Sequence, residues 1–341
     1  MLRSKRDFDL IKPDRAGKGL RIRIAITGWV LLAVATVSPA QSVTRFPSKP
    51  IRIVVPYPAG GPTDMTARSI SSRMIDALGQ QMVIDNRAGA STIIGTEIVA
   101  RAPPDGHTLL LVTSTISMNP SVFRKLPYDV ERDLAPVTQV IASPFALLAH
   151  PALPVRDTAA LIALMTAKPG QLLYPSSGVG SANHLAVVLL ARLARFEAAH
   201  VPYKGTAQGI ADLLAGQVQF SLNNPLTSLP LAKAGKLRLL ATTGTKRLAL
   251  LPHVATVSET VPGYEAGNWH ALFAPGGTPR EVVSRLQTEV ARALAMPEVR
   301  SKLIEGGADP VGSSPDEFMA YFRSELAKWA QTVKAAKIQV E

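Results

Sequence analysis

The chain has 341 residues, no cysteine and a formal net charge of +12, and only 5% of its residues are aromatic. Without cysteine, disulfides, thiolate metal sites, a cysteine nucleophile and a lipid-anchoring cysteine are excluded. Scattered basic residues and few aromatic residues argue against a nucleic-acid partner. A modest positive field favours small acidic ligands instead.

Residues 1–40 have the pattern of a secretory signal peptide. Eight basic and three acidic residues in 1–23 precede an apolar run at 24–37, and Ser38-Pro39-Ala40 offers a cleavage site. That run is shorter than the roughly 20 residues that span a bilayer. General export and twin-arginine export stay open, because Lys5 precedes Arg6 where a twin-arginine signal has arginine. Cleavage leaves about 300 residues with a net charge of +7. Export without a lipid anchor predicts a periplasmic protein.

The first predicted element is a buried strand at Ile51–Val55, followed by a loop rich in Pro and Gly. A helix capped by Thr63 or Asp64 and ended by Gly79 follows the loop. Free backbone N–H groups and the helix dipole make this loop a predicted anion site. Its candidate binding residues are Tyr57, Ala59, Gly60, Gly61, Thr63 and Asp64.

Strand and helix patterns then alternate along the chain. Further strands are predicted at 82–85, 108–112, 172–174, 198–202, 218–222 and 237–242, and helices at 91–102, 157–168, 181–195, 207–215, 279–295 and 315–337. This alternation predicts an α/β fold with mainly parallel sheets and flanking helices.

Two extended apolar stretches, 137–149 and 269–274, are predicted to cross between domains. The chain would then form lobe 1 from 41–145 plus 268–341, and lobe 2 from 146–267. A cleft between such lobes is where ligands of open α/β sheets bind.

Three later loops repeat the strand–loop–helix pattern of the first. The candidate binding residues there are Ser177, Gly178, Gly180, Ser181 and His184 in the second loop, Lys204, Gly205 and Thr206 in the third, and Asn224 in the fourth. Ala90 and Ser114 complete the predicted set, whereas Asn86 and Arg87 are interpreted as braces of their loop. Helix N-termini facing one cleft would hold a carboxylate without a buried cation.

The order of these segments resembles the Bug family, the periplasmic solute receptors of tripartite tricarboxylate transporters. The matching segments are 46–51, 58–64, 86–90, 176–185, 200–205, 234–238, 274–279 and 306–311, so the resemblance covers essentially 46–337. It implies a two-lobed type II periplasmic-binding-protein fold (a Venus flytrap) that closes on a small carboxylate. It also implies a monomer that serves membrane transporter subunits, with no cofactor and no enzymatic activity.

The chain departs from the family pattern at two positions. Asn223-Asn224 stands where the family usually has Asp-Asn, and His270 stands where it usually has an aromatic residue. Either departure is a candidate determinant of ligand preference.

Several residues have a simpler structural interpretation beside the functional one. Asp64 is most simply a carboxylate in the first turn of a helix, and a ligand contact would suit an ammonium or hydroxyl. Gly60 and Gly61 serve turn geometry or ligand contact, and Ser177 and Ser181 serve as caps or ligand contacts.

Other functions are weighed against the receptor. A secreted hydrolase or isomerase using Ser181, His184 or Asp64 is disfavoured, because the sequence has no nucleophile motif such as a Gly-x-Ser-x-Gly elbow. The remaining histidines lie apart without an acid–histidine pattern, so no metal site is predicted. A receptor that presents its ligand to a membrane sensor instead of a transporter stays open.

Overall fold

The computed structural model describes residues 46–203, 206–248 and 250–338. The predicted signal peptide at 1–40 and the candidates Lys204 and Gly205 lie outside the described residues. Within the described part of the chain, no helix is both long enough and apolar enough to cross a membrane.

Strands and helices alternate as predicted. The strands are β1 Ile51–Val55, β2 Met82–Asn86, β3 Thr108–Thr113, β4 Leu134–Pro144, β5 Ala146–Ala149, β6 Leu173–Ser176, β7 Ala199–Pro202, β8 Phe220–Asn223, β9 Arg238–Thr242, β10 Gly267–Pro275 and β11 Asp309–Pro310. The helices are α1 Pro62–Leu78, α2 Ile93–Ala100, α3 Thr115–Val122, α4 Thr158–Ala167, α5 Ala182–Ala194, α6 Thr206–Leu214, α7 Pro225–Lys233, α8 Arg280–Ala295, α9 Pro297–Glu305 and α10 Pro315–Ala336. The α/β class is therefore confirmed.

Two predicted helix starts are wrong. Helix α1 begins at Pro62 after the N-cap residue Gly61, so Thr63 and Asp64 lie inside its first turn. Proline suits this first helical position because its missing N–H would have no intrahelical partner there. Helix α2 begins at Ile93 and not at residue 91, because Ala90–Thr92 form a short turn with positive φ angles. Helices α3 and α9 and strand β11 were not predicted from the sequence.

The largest sheet has the strand order β11-β4-β10-β3-β1-β2. Strand β1 is parallel to β2 and β3, but β10 is antiparallel to β3 and β4. The remaining strands form an antiparallel sheet β8-β5-β9 and a parallel pair β6-β7. The expectation of mainly parallel sheets is therefore wrong. Strands β4 and β10 run in opposite directions side by side, so antiparallel pairs enter a sheet that begins as parallel β–α units.

The side chains of the largest sheet alternate between two cores. Ile53 and Val55 pack with α1 and α8 on one face, whereas Val54 packs with Trp269 and Phe318 on the other. This alternation is the period of two expected of a strand buried on both faces.

Helix α10 contributes to two cores. Its first half supplies Phe318 and Phe322 to the core beside β10, and its second half supplies Trp329 and Val333 to the core around α5, β5 and β8. Glu325 lies between these halves, and its Oε2 accepts hydrogen bonds from the indole nitrogens of Trp269 (3.0 Å) and Trp329 (3.1 Å).

Candidate functional site

The loop between β1 and α1 is closed by the side chain of Asp64, which is only 2% exposed. The carboxylate accepts hydrogen bonds from the backbone N–H of Gly60 (2.9 Å), from Arg68 Nε (2.9 Å) and from Asn86 Nδ2 (3.1 Å). These donors, Arg68 foremost, hold the pKa of Asp64 below its usual range. The Asn86 amide also donates to the carbonyl of Tyr57 (3.1 Å), so Asn86 braces this loop.

The backbone of the same loop contains a glycine that other residues would strain. Gly60 has a φ of +80°, and an added Cβ would meet no atom within 4 Å. A side chain there is therefore opposed by backbone conformation and not by crowding. Its neighbour Ala59 is exposed. Helix α1 has no side-chain hydrogen bond at its N-cap, so N–H groups of its first turn remain for a ligand or water.

The carboxyl ends of β1 and β3 meet beside this loop, because these strands are parallel neighbours. The Tyr57 hydroxyl lies 2.6 Å from Thr113 Oγ1 at the end of β3. Next in the chain, the fully buried Ser114 donates from Oγ to Asn268 Oδ1 (3.0 Å). Ser114 thereby fastens the end of β3 to the start of β10.

Ala90 lies in a strained segment. Ala90, Ser91 and Thr92 have φ angles of 44°, 50° and 77°, a conformation that L-residues rarely adopt. The Asn119 amide donates to the Ser91 carbonyl (2.9 Å) and to Thr92 Oγ1 (3.3 Å), which helps to hold the turn. Backbone strain of this kind is concentrated at functional sites.

The second predicted loop, between β6 and α5, is organised by Asn183. Its Oδ1 accepts hydrogen bonds from the hydroxyls of Ser177 (3.1 Å) and Ser181 (2.9 Å). The Ser181 hydroxyl also lies 2.6 Å from the Gly178 carbonyl oxygen. Ser181 is the N-cap residue of α5 but makes no side-chain cap hydrogen bond, so α5 also begins with N–H groups that lack such a cap. Asn183 was not among the predicted residues, because an Asn inside a helix start carries no distinctive sequence signal.

His184 contacts this loop through the backbone of Gly180. Its Nδ1 accepts a hydrogen bond from the backbone N–H of Gly180 (3.1 Å), and its ring stacks on His200 at a centroid distance of 3.9 Å. Burial, helped by the neighbouring His200, lowers the pKa of His184 to about 4. A neutral ring is consistent with Nδ1 acting as acceptor. His184 is therefore a poor base at neutral pH, and its Nδ1 accepts from the Gly180 N–H and not from the Ser181 hydroxyl.

The third and fourth loops are described in part. Thr206 begins α6, and it is exposed. Asn224 precedes α7, and its Nδ2 lies 3.5 Å from Ser143 Oγ on β4. Asn223, which departs from the family pattern, is buried, and its side-chain amide donates to Ser221 Oγ.

The predicted residues fall into separate groups. Tyr57, Gly60 and Asp64 form one hydrogen-bonded group, and the residues of 177–184 form another. Among the described residues, no hydrogen bond, ion pair or ring contact joins these two groups. Their shared role in ligand binding stays a prediction.

A cavity of about 60 Å³ lies beside α1, and Asn224 is the predicted residue that lines it. Its other polar lining residues include Thr66, Ser143, His270 and Lys302. Thr66, Ser143 and Lys302 were not predicted as site residues, because no sequence motif marks them. His270 was predicted only as a departure from the family pattern.

The chain is similar to known proteins along most of its length. Residues 66–338 match the family described as "Tripartite tricarboxylate transporter family receptor". Protein BugT of Bordetella pertussis is 34% identical over 314 residues, which cover 91% of this chain and 96% of that protein.

Two solved structures are similar in sequence and fold. One is that of "R. palustris Rpa4515 with adipate", which is 39% identical with a TM-score of 0.77 and covers 86% of this chain and 100% of that one. The other is that of "MatC (Rpa3494) from Rhodopseudomonas palustris with bound malate", which is 32% identical with a TM-score of 0.72. This match covers 84% of this chain and 100% of that one. The expectation of a two-lobed periplasmic-binding-protein fold is thereby confirmed. The chain belongs to the family of tripartite tricarboxylate transporter receptors, as its resemblance to the Bug family predicted.

Proposed function

We propose that this chain is a periplasmic receptor that captures a small carboxylate in a cleft between two lobes and delivers it to the membrane subunits of a tripartite tricarboxylate-type transporter. Similar proteins with bound adipate and malate support a carboxylate ligand. The role is binding without catalysis. The arrangement of Ser181 and His184 supports this part of the proposal. The serine hydroxyl lies within hydrogen-bond distance of the Gly178 carbonyl oxygen and of Asn183 Oδ1, and the histidine accepts from the Gly180 N–H.

The observation that carries the proposal is the pair of helix starts at α1 and α5. Each follows a strand and a glycine-containing loop, and each lacks a side-chain hydrogen bond at its N-cap. The first N–H groups of a helix have no intrahelical partner, and the helix dipole adds partial positive charge there. Two such helix ends can hold a carboxylate without a buried formal cation.

The lobes of the proposal are 41–145 plus 268–341 and 146–267. In support, the chain leaves the largest sheet at the end of β4 and returns to it at the start of β10, where Ser143 pairs with Asn268. Helix α10 bridges the two proposed lobes, because Trp329 packs into the core around α5. Domain closure about β4 and β10 would be of the hinge type.

The test is a ligand panel on the purified protein without residues 1–40. Mono-, di- and tricarboxylates, amino acids and aromatic acids are screened by thermal shift, and hits are measured by calorimetry. A true ligand raises stability by mass action, by about 2.7 kcal/mol at a hundredfold excess over Kd. Stabilisation by at least one carboxylate is expected, and binding of none of them contradicts the proposal.

Two further measurements test closure and transport. Small-angle scattering at ligand saturation should give a smaller radius of gyration than the free protein, and an unchanged curve argues against hinge closure. Cells that lack this chain should lose uptake of the labelled carboxylate identified by the panel. Normal uptake in those cells would contradict the proposed role in transport but not the proposed binding of a carboxylate.

A further inference from the structure

His270 lines the cavity beside α1 and has one buried ring nitrogen without a hydrogen-bond partner among the described residues. The imidazole is 1% exposed and lines the cavity together with Thr66, Asn224 and Lys302. Its Nδ1 lies 3.0 Å from Thr66 Oγ1, whereas its Nε2 has no hydrogen-bond partner among the described residues. A buried polar atom without a partner is unfavourable, so this nitrogen is expected to be paired when the site is occupied.

The hydrogen bonds of Thr66 determine which kind of partner Nε2 needs. The Thr66 hydroxyl has one hydrogen and lies 3.0 Å from both the Pro62 carbonyl oxygen and His270 Nδ1. Both contacts are hydrogen bonds at once only when the hydroxyl donates to Pro62 and accepts from His270 Nδ1–H, so we assign the ring proton to Nδ1. Burial lowers the pKa of His270 to about 4, so the ring is neutral at neutral pH. A neutral ring that carries its proton on Nδ1 has a bare Nε2, which can only accept.

The cavity restricts the donor that could reach this nitrogen. A volume of about 60 Å³ admits a few water-sized groups, since one water needs roughly 10–15 Å³. The carboxylate of a ligand would be repelled by the lone pair of Nε2. An ammonium group would be repelled by Lys302, which lines the same cavity and forms no ion pair with another described residue. A hydroxyl group can donate to His270 Nε2 and carries no positive charge that Lys302 would repel.

We propose that His270 Nε2 accepts a hydrogen bond from a ligand hydroxyl while Lys302 faces the ligand carboxylate, so that the receptor prefers a small hydroxycarboxylate to the same acid without its hydroxyl. This inference rests on the proposed function and adds the substrate class. Thr66 is a positioning residue in this arrangement, because it fixes the proton on Nδ1.

The test compares matched acids by calorimetry at pH 7.5: malate with succinate, and lactate with propionate. In whichever pair binds more tightly, the wild-type protein should bind the hydroxy acid at least tenfold more tightly than the acid without the hydroxyl, because that analogue leaves Nε2 unpaired. His270→Phe should bring the two affinities to within about threefold, mainly by weakening the hydroxy acid. Thr66→Val keeps the imidazole but frees its tautomer, so it should reduce the preference as well.

Lys302→Gln is the matched control at an exposed position of the same cavity. It should weaken both acids of a pair by a similar factor and leave their ratio unchanged. Equal wild-type affinities for the two acids, or a ratio that survives both His270→Phe and Thr66→Val, overturn this inference while the carboxylate receptor stands. Binding of no carboxylate contradicts the proposed function itself.

Discussion

The backbone N–H of Gly60 donates to the carboxylate of Asp64 at 2.9 Å. The loop that the sequence marks as an anion site is thus closed by an anion of its own chain. Asp64 also accepts hydrogen bonds from Arg68 Nε and Asn86 Nδ2. This arrangement favours Asp64 as the residue that shapes the loop.

Asp64→Ala should therefore weaken every carboxylate ligand alike. It leaves Gly60 N–H and the Asn86 amide without their acceptor, and hydrogen bonds to a charged group are worth about 1.5–3 kcal/mol each. We expect at least a tenfold loss of affinity by calorimetry, with a lower free energy of unfolding in urea. Arg68→Gln is the control, because Arg68 is exposed and its ion pair should contribute less than about 1 kcal/mol. If Asp64→Asn weakens only ligands that carry an ammonium or hydroxyl, Asp64 contacts the ligand directly.

Gly60→Val should abolish binding while the protein stays folded. Gly235 offers a matched control, because both glycines have positive φ angles (80° and 69°) and open space around an added Cβ. Each valine should therefore lower the free energy of unfolding similarly, by about 1–2 kcal/mol for a left-handed residue. Only Gly60→Val should lose ligand affinity in calorimetry. Equal affinities in the two variants would remove the first loop from the site.

Stability should fall as the solution is acidified below pH 6.5, partly because of His184. Its pKa is lowered from 6.5 to about 4 in the folded protein, so the unfolded chain binds more protons between these values. The free energy of unfolding therefore decreases as pH falls through this window. Between pH 7.5 and pH 5 the loss from this one residue is about 2 kcal/mol.

Urea unfolding of His184→Gln at both pH values checks this assignment. Glutamine can still accept from Gly180 N–H but does not titrate, so the decrease on acidification should be smaller by about 2 kcal/mol. His253→Gln, at an exposed histidine, should keep the wild-type decrease. The same decrease in wild type and His184→Gln would mean that His184 is not the group responsible.

Ser91→Gly should stabilise the protein. Ser91 is exposed and has a φ of 50°, a conformation that is unfavourable by about 1–2 kcal/mol for an L-residue but open to glycine. The gain should be about 0.5–1 kcal/mol, since glycine also loses more backbone entropy on folding. Urea unfolding measures it, and a destabilised variant would show that this turn is not strained.

Glu325→Ala should destabilise the protein by about 2–4 kcal/mol, because two buried indole N–H groups lose their acceptor. Glu131→Ala is the control: it removes an exposed ion pair with Arg323 of the same helix and should change stability by less than about 1 kcal/mol. Similar effects of the two substitutions, measured by urea unfolding, would mean that the shared carboxylate does not hold α10 in place.

The sequence by itself determined the local features of this protein. The strand Ile51–Val55 and the helix end at Gly79, which has a φ of +66°, follow from interactions among residues close in the chain. The family could also be recognised, because its segments recur in order along nearly the whole chain. The cap of α1 was misplaced by two or three residues, because Thr63 and Asp64 are good cap residues but Pro62 before them already begins the helix.

Only the tertiary structure decided which residues meet. Asp64 and Asn86 are 22 residues apart, and Thr66 and His270 are 204 apart. The antiparallel pairing of β10 with β3 and β4 likewise depends on how the chain returns to its first sheet. Turn, cap and periodicity signals arise within a few residues, whereas these contacts depend on the packing of whole elements. The tautomer assigned to His270 is the clearest case, because it depends on the hydrogen bond between Nδ1 and a threonine 204 residues away in the chain.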